Sequence, residues 1–125
     1  RYYRARARSF AYFIVATRPL IEFLIVSAIL HIVNQSPFSS TLLKQCMDRF
    51  NNDDGLILLE DGVYGAMSQH PYAQNVRNIK RCYAIKNDLL ARGISLDDIS
   101  DSIKVIDYNE FVQLTIEFPL SHSWY

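Results

Sequence analysis

The chain reads as a small α/β domain on an open, mostly parallel β-sheet with helices on both faces. Three observations predict this. Four short, apolar, largely β-branched segments recur at residues 29–33, 56–59, 81–85 and 103–106, with stretches of helical spacing between them. Strands alternating with helices imply βαβ units and right-handed crossovers. Leu56-Ile57-Leu58-Leu59 is apolar at every position, as in a strand covered on both faces of a parallel sheet. Half of the 125 residues are apolar and 21% are charged, with only four Gly and four Pro. That composition can bury a core and excludes disordered or fibrous classes.

Each element follows in order. Ile29-Leu30-His31-Ile32-Val33 is the first strand, and Asn34-Gln35-Ser36-Pro37 ends it in a loop. Ser39, Ser40 and Thr41 offer an N-cap. Leu42, Leu43, Cys46, Met47 and Phe50 then fall on one helical face. Asn51-Asn52-Asp53-Asp54-Gly55 is a turn by composition. The second strand stops at Glu60-Asp61-Gly62-Val63, where a short helix can start. Residues 67–78 are polar and are expected to form loop and irregular helix. After the third strand, Asp88 is expected to cap a short helix over 89–92, which Gly93 stops at a position that tolerates a left-handed backbone. Residues 94–102 read as an acidic loop before the fourth strand. Asp107 and Glu110 make a D-x-x-E capping box for the last helix. Phe111, Leu114 and Phe118 share one face of it, and Pro119 ends it. Residues 120–125 read as a tail.

The charge is unevenly placed. Thirteen Lys and Arg balance thirteen Asp and Glu. Residues 1–28, however, hold five arginines against Glu22, a net +4, and residues 29–125 hold eight basic against twelve acidic groups, a net −4. The expected organisation is therefore an N-terminal extension over 1–28 and a domain over 29–125. The apolar run 10–16 is too short for about 30 Å of hydrocarbon. Joining it to residues 20–33 would place Arg18 and Glu22 near the membrane centre at about 2.5–3.5 kcal/mol for each charge, so a membrane anchor is disfavoured. A signal peptide lacks a good cleavage site before the first strand. The chain opens on Arg1, which fits either a fragment or a reading frame extended upstream of the true start; in the second case Val26 is the candidate non-AUG initiator and the protein begins near Ser27.

Little chemistry is offered by motif. Neither a glycine-rich phosphate loop nor HExxH is present, and the three histidines are well separated, so no metal or cofactor site is expected. The acidic balance of the domain argues against direct contact with nucleic acid, which needs Lys and Arg for phosphate. His31, inside the first strand, is expected to be a hydrogen-bonded core residue. Glu60-Asp61 lies at the carboxyl end of a strand, where open α/β sheets place sites, but reads first as a helix start favoured by negative charge. Two cysteines make no disulfide framework. Cys82 is mid-strand and structural. Cys46 shares its face with Leu42, Leu43 and Phe50, as a small core residue would, and lies past the first helical turn, where the dipole lowers a thiol pKa only weakly.

LHIVNQSPF at 30–38, LLEDGVYGA at 58–66, CYAIKNDLLARGI at 82–94 and IDYNEFVQLT at 106–115, with Ser123-Trp124 at the end, resemble the DsrH/TusB family. The match runs in order from residue 29 to 125 and has no counterpart for 1–28. The resemblance implies a DsrE/DsrF/DsrH-like fold and a subunit of a cytoplasmic sulfur-relay complex. In that complex TusB-like chains assemble with TusC- and TusD-like chains as a dimer of heterotrimers. Persulfide sulfur arrives from a TusA-like carrier and leaves through a TusE-like partner towards 2-thiolation of wobble uridine in tRNA. The principal sulfur-carrying cysteine is on the TusD-like chain, and the TusB-like chain is mainly architectural. Cys46 matches a first-helix cysteine of the DsrH branch, linked to sulfur oxidation. It is thus the candidate sulfur acceptor in an alternative role, as a thiolate nucleophile. Tyr64, Tyr72, Tyr108, Trp124 and Tyr125 are taken as exposed aromatic residues suited to subunit contacts.

Overall fold

The computed structural model describes residues 28–125; the expected leader and start site fall on residues 1–27, outside them. Among the described residues the sheet has five strands, β1 (Ile29–Val33), β2 (Gly55–Leu58), β3 (Arg81–Ile85), β4 (Ile103–Ile106) and β5 (Leu120–Trp124). They run all parallel in the order β4-β3-β2-β1-β5. Four helices connect them: α1 (Leu42–Asp48), α2 (Ala73–Arg77), α3 (Lys86–Ala91) and α4 (Tyr108–Glu117). Two 3-10 segments, Glu60–Ala66 and Leu96–Asp98, fill the remaining connections.

The strand order decides which helix covers which face. From β1 to β4 the chain steps one strand at a time in one direction, so right-handed crossovers put α1, the first 3-10 segment, α2 and α3 on one face. The last connection runs the other way, past three strands, and puts α4 alone on the opposite face. The packing agrees. Leu43, Val63, Val76 and Leu89 are buried with Val33, Leu56, Leu58, Cys82 and Ala84. Leu114 and Phe118 are buried with Leu30, Ile57, Ile85 and Ile106 on the other side, joined by Ala28. Period-2 alternation along each strand sorts these residues between the two faces.

Three expectations are corrected. The tail is a strand: Leu120–Trp124 pairs along β1, with Ile29 opposite Leu120 and Val33 opposite Trp124, making five strands rather than four. The third helix starts at Lys86, three residues before the expected 89, with Ile85 at its N-cap and no side-chain cap bond. Asp88 sits in its first turn and accepts from the Glu60 backbone N–H at 2.8 Å instead. The loop 94–102 contains a turn of 3-10 helix capped by the Ser95 side chain, which accepts from Asp97 N.

Other local signals hold. Gly93 has φ +66°, and Ile94 N–H reaches Leu89 O while Gly93 N–H reaches Leu90 O. Those two bonds are a Schellman closure of α3. The Asp107–Glu110 capping box forms in both directions. Ahead of α1, the helix's own N-cap Thr41 makes no cap bond, and Ser40 Oγ accepts from Leu42 N at 3.1 Å.

Candidate functional site

The candidate sulfur acceptor, Cys46, is carried on the inner face of α1 beside Leu43. Its exposure is 0%, because positions 43 and 46 are one turn apart and both face the sheet. Burial pushes its thiol well above the ordinary range, and the Asp54 carboxylate and Cys82 push it in the same direction. Cys82, in β3, is also buried, and burial pushes its thiol up to about 12. Both cysteines are free thiols. Thiolate is the nucleophilic form, and a reactive cysteine needs an electropositive, partly exposed setting. The surroundings of Cys46 are apolar and carboxylate-bearing.

Above α1 lies a polar chain inside the core. His31 is buried, as expected, and its Nε2 is 2.8 Å from Asp54 Oδ2. Trp124 Nε1–H donates to His31 Nδ1 at 3.1 Å across 93 residues of sequence. An indole N–H can only donate, so Nδ1 holds the lone pair and Nε2 the proton that goes to Asp54. Asp54 also accepts from Ile29 N at 2.9 Å and from Asn51 N at 3.1 Å. One carboxylate thus ties the start of β1, the turn before β2 and, through His31, the end of β5. His122 stacks on Trp124 with ring centroids 4.5 Å apart, and Phe50 lies 4.9 Å from the His31 ring. The pKa of His122 is lowered, mainly by burial.

The aromatic residues taken as exposed separate into two groups. Tyr108 and Tyr125 are exposed, and Tyr64 and Tyr72 are half-buried. Trp124 is 7% exposed, which corrects the expectation of an exposed side chain: its indole is needed inside, on His31. Tyr64 belongs to a patch at the carboxyl ends of β1 and β2. There Phe38 lies edge-on to Tyr64 and His70, at 6.5 and 6.3 Å. His70 donates from Nε2 to Gly65 O at 2.9 Å and accepts the Tyr72 backbone N–H on Nδ1; its pKa is lowered mainly by burial.

The Glu60-Asp61 pair does lie at the carboxyl end of β2. Glu60 has φ +50°, an uncommon conformation for a residue with a side chain. Its Oε1 receives Asn34 Nδ2 at 3.4 Å, and Asp61 Oδ1 pairs with Arg92 Nε at 2.8 Å. These are bonds within the fold, and they pin the first 3-10 segment between β1 and α3. Among the described residues, no group of three or more His, Cys, Asp or Glu is placed to hold a metal ion. An open polar groove of about 770 Å³, lined by Ser68, Gln69, Arg77 and Asp101 among others, contains none of the cysteines or histidines. Also among the described residues, no helix is long and apolar enough to cross a membrane.

Sequence reasoning missed two features. Asp54 looked like an ordinary turn residue, and its burial arises only when β1 and β5 close over it. The outer side of α4 carries Tyr108, Val112 and Ile116, all exposed, and the i, i+4, i+8 spacing was there to be read.

Comparison with known proteins places this arrangement. A family profile described as DsrH like protein matches residues 35–120. Protein TusB of Escherichia coli strain K12 is 36% identical over 96 residues, covering 76% of this chain and 99% of that protein. Protein TusB of Buchnera aphidicola subsp. Baizongia pistaciae is 35% identical over the same shares. Among solved structures, the solution NMR structure of protein Tm0979 from Thermotoga maritima superposes with a TM-score of 0.54 at 27% identity, covering 70% of this chain and 91% of that one. With the parallel five-stranded sheet and these matches in hand, the chain belongs to the DsrH/TusB family.

Proposed function

We propose that this chain is the TusB-like subunit of a sulfur-relay complex supporting 2-thiolation of wobble uridine in tRNA, and that its task is to hold the sulfur-carrying chains together. The observation that carries the reading is the setting of Cys46. A sulfur acceptor must meet a donor persulfide as a thiolate, and Cys46 is fully buried, with its thiol driven towards the protonated form by desolvation and by Asp54. Cys82 is buried as well. Sulfur then travels on the partners: TusC-like and TusD-like subunits in a cytoplasmic dimer of heterotrimers, supplied by a TusA-like carrier and relieved by a TusE-like one. The −4 balance of residues 29–125 keeps the subunit off the tRNA phosphates. Tyr64, Tyr108 and Tyr125 serve as contacts between subunits, with Trp124 acting from inside by fixing β5.

The test is to co-express the chain with TusC- and TusD-like subunits, load the purified complex with sulfur and map it by mass spectrometry. Added sulfur is expected on a partner chain, and a Cys46→Ala complex is expected to relay at the wild-type rate. A sulfur adduct on Cys46, together with loss of relay in Cys46→Ala, would instead establish the DsrH-like trafficking role, in which Cys46 carries persulfide sulfur.

A further inference from the structure

We infer that His70 is an acid-sensitive latch: a proton taken up on its Nδ1 expels the Tyr72 backbone N–H and loosens the start of α2. One protonation state of the ring satisfies both of its neighbours. Nε2 lies 2.9 Å from Gly65 O; a carbonyl oxygen accepts, so Nε2 carries the hydrogen. Nδ1 lies 3.1 Å from Tyr72 N; a backbone N–H donates, so Nδ1 keeps its lone pair. The neutral ring therefore ties the first 3-10 segment to residue 72. A second proton, on Nδ1, sets N–H against N–H. The Gly65 bond survives it, because Nε2 still donates, and the Tyr72 bond does not.

The position of Tyr72 gives that loss its reach. Tyr72 is the N-cap of α2, and its side chain makes no cap bond. Its carbonyl accepts from Val76 N at 3.1 Å, at the start of the helix. With five residues, α2 is too short to hold itself, and residues 68–72 ahead of it are bend and turn. The Tyr72 ring is partly buried against the core and lies edge-on to His70, with centroids 6.3 Å apart. Release of its N–H frees this ring together with the first turn of α2.

The surroundings hold the latch closed at neutral pH. Burial lowers the His70 pKa first, the Gly65 bond works against it, and the Arg77 charge on α2 lowers it again. Phe38, from the loop between β1 and α1, meets the ring edge-on and brings no charge. Asp61 of the first 3-10 segment is paired with Arg92. Asp98 of the second meets this loop through its backbone, accepting from Ser68 N at 2.9 Å. The folded value thus lies below the ordinary 6.5. A group of that kind contributes fully above pH 6.5, and its contribution is lost as pH falls towards the folded value.

The experiment follows the full chain from about pH 7.5 to about pH 5. Nitrogen-15 shifts of the His70 ring report its protonation. Hydrogen exchange, corrected for the intrinsic rate at each pH, reports the amides of residues 68–76. Protection of the Tyr72 amide is expected to fall below pH 6.5, by up to about tenfold per pH unit, in step with protonation of Nδ1. The amides of β2, between two strands of the sheet, keep theirs. His70→Gln retains one donor and one acceptor but takes up no proton, so its Tyr72 protection is expected to stay level. Constant Tyr72 protection in the wild-type chain overturns the latch, whether or not Nδ1 is protonated. An equal fall in His70→Gln overturns it too, since another group then drives the opening. If that variant does not fold, the wild-type chain decides alone: a fall in protection that does not coincide with protonation of Nδ1 overturns the proposal.

Discussion

The two faces of the sheet are closed by different means. One is covered by several short pieces, α1, α2, α3 and the first 3-10 segment, each of five to seven residues. Pieces that short have almost no stability of their own. They are held by contacts that leave no slack: Gly62 against β1, the Asp54–His31–Trp124 chain, and Asp88 on the Glu60 N–H. The other face is covered by a single ten-residue helix with its own capping box. It packs by one side and presents a second apolar side outward. Both faces leave apolar side chains in solvent, Leu90 of α3 on the first and Tyr108, Val112 and Ile116 of α4 on the second.

The comparison breaks most easily at Gly62. A Cβ there would lie 2.1 Å from Val33 O, and neither backbone can yield without moving a strand end. Gly62→Ala is expected to cost about 3 kcal/mol or more, read as a fall in the urea midpoint. A loss below about 1 kcal/mol would show that the 3-10 segment is not clamped to β1. Asp54→Ala should cost about 3 kcal/mol, since it strands the Ile29 N–H and the His31 proton in the interior and frees the turn at Asn51. Trp124→Phe removes the donor to His31 together with the five-membered part of a buried indole, at about 2–3 kcal/mol. If the three groups act as one chain, the two losses will be non-additive in a double-mutant cycle.

Raised pH tests the same face through its thiols. Both folded-state thiol pKa values lie above the ordinary value of 9.0. Their stabilising contribution is therefore fully present below about pH 9 and is lost as pH rises towards the folded values, at up to about 1.4 kcal/mol per pH unit for each thiol. Stability measured from pH 8 to 11 should fall, and the Cys46→Ala, Cys82→Ala double variant should show a flatter profile. On the α4 face the corresponding change is smaller. Asp107→Ala removes the capping box and should cost about 1 kcal/mol. Smallest of all is Lys44→Ala: its pair with Asp48, at 3.1 Å, joins two exposed side chains, and the change is expected to stay within about 0.5 kcal/mol by thermal denaturation.

Legibility in the sequence tracks the range of the interaction. The capping box at Asp107, the Gly93 stop and the core face of α4 are decided within four residues and were read correctly. So were the four apolar strands, because burial on both sides of a parallel sheet leaves an unbroken apolar run. β5 was not read, since Ser121 and Ser123 alternate with Leu120, His122 and Trp124 and the segment has strand character only once β1 offers its edge. The start of α3 was misplaced because Asp88, a good cap by its type, is drawn instead to the Glu60 N–H, which φ +50° presents to it. For Cys46 the helix face gave the core reading, while only the packed structure set the Asp54 carboxylate close enough to act on its thiol.

By itself the sequence determined the α/β class, the core face of each principal helix and the acidic character of residues 29–125, because periodicity and charge are properties of the chain. Tertiary structure alone decided that the tail completes the sheet, that Trp124 points inward and that Asp54 is the buried junction of three segments. Those outcomes depend on desolvation and on partners as far apart as 93 residues. A polar group buried without a partner is costly, and only the closed fold supplies the partner.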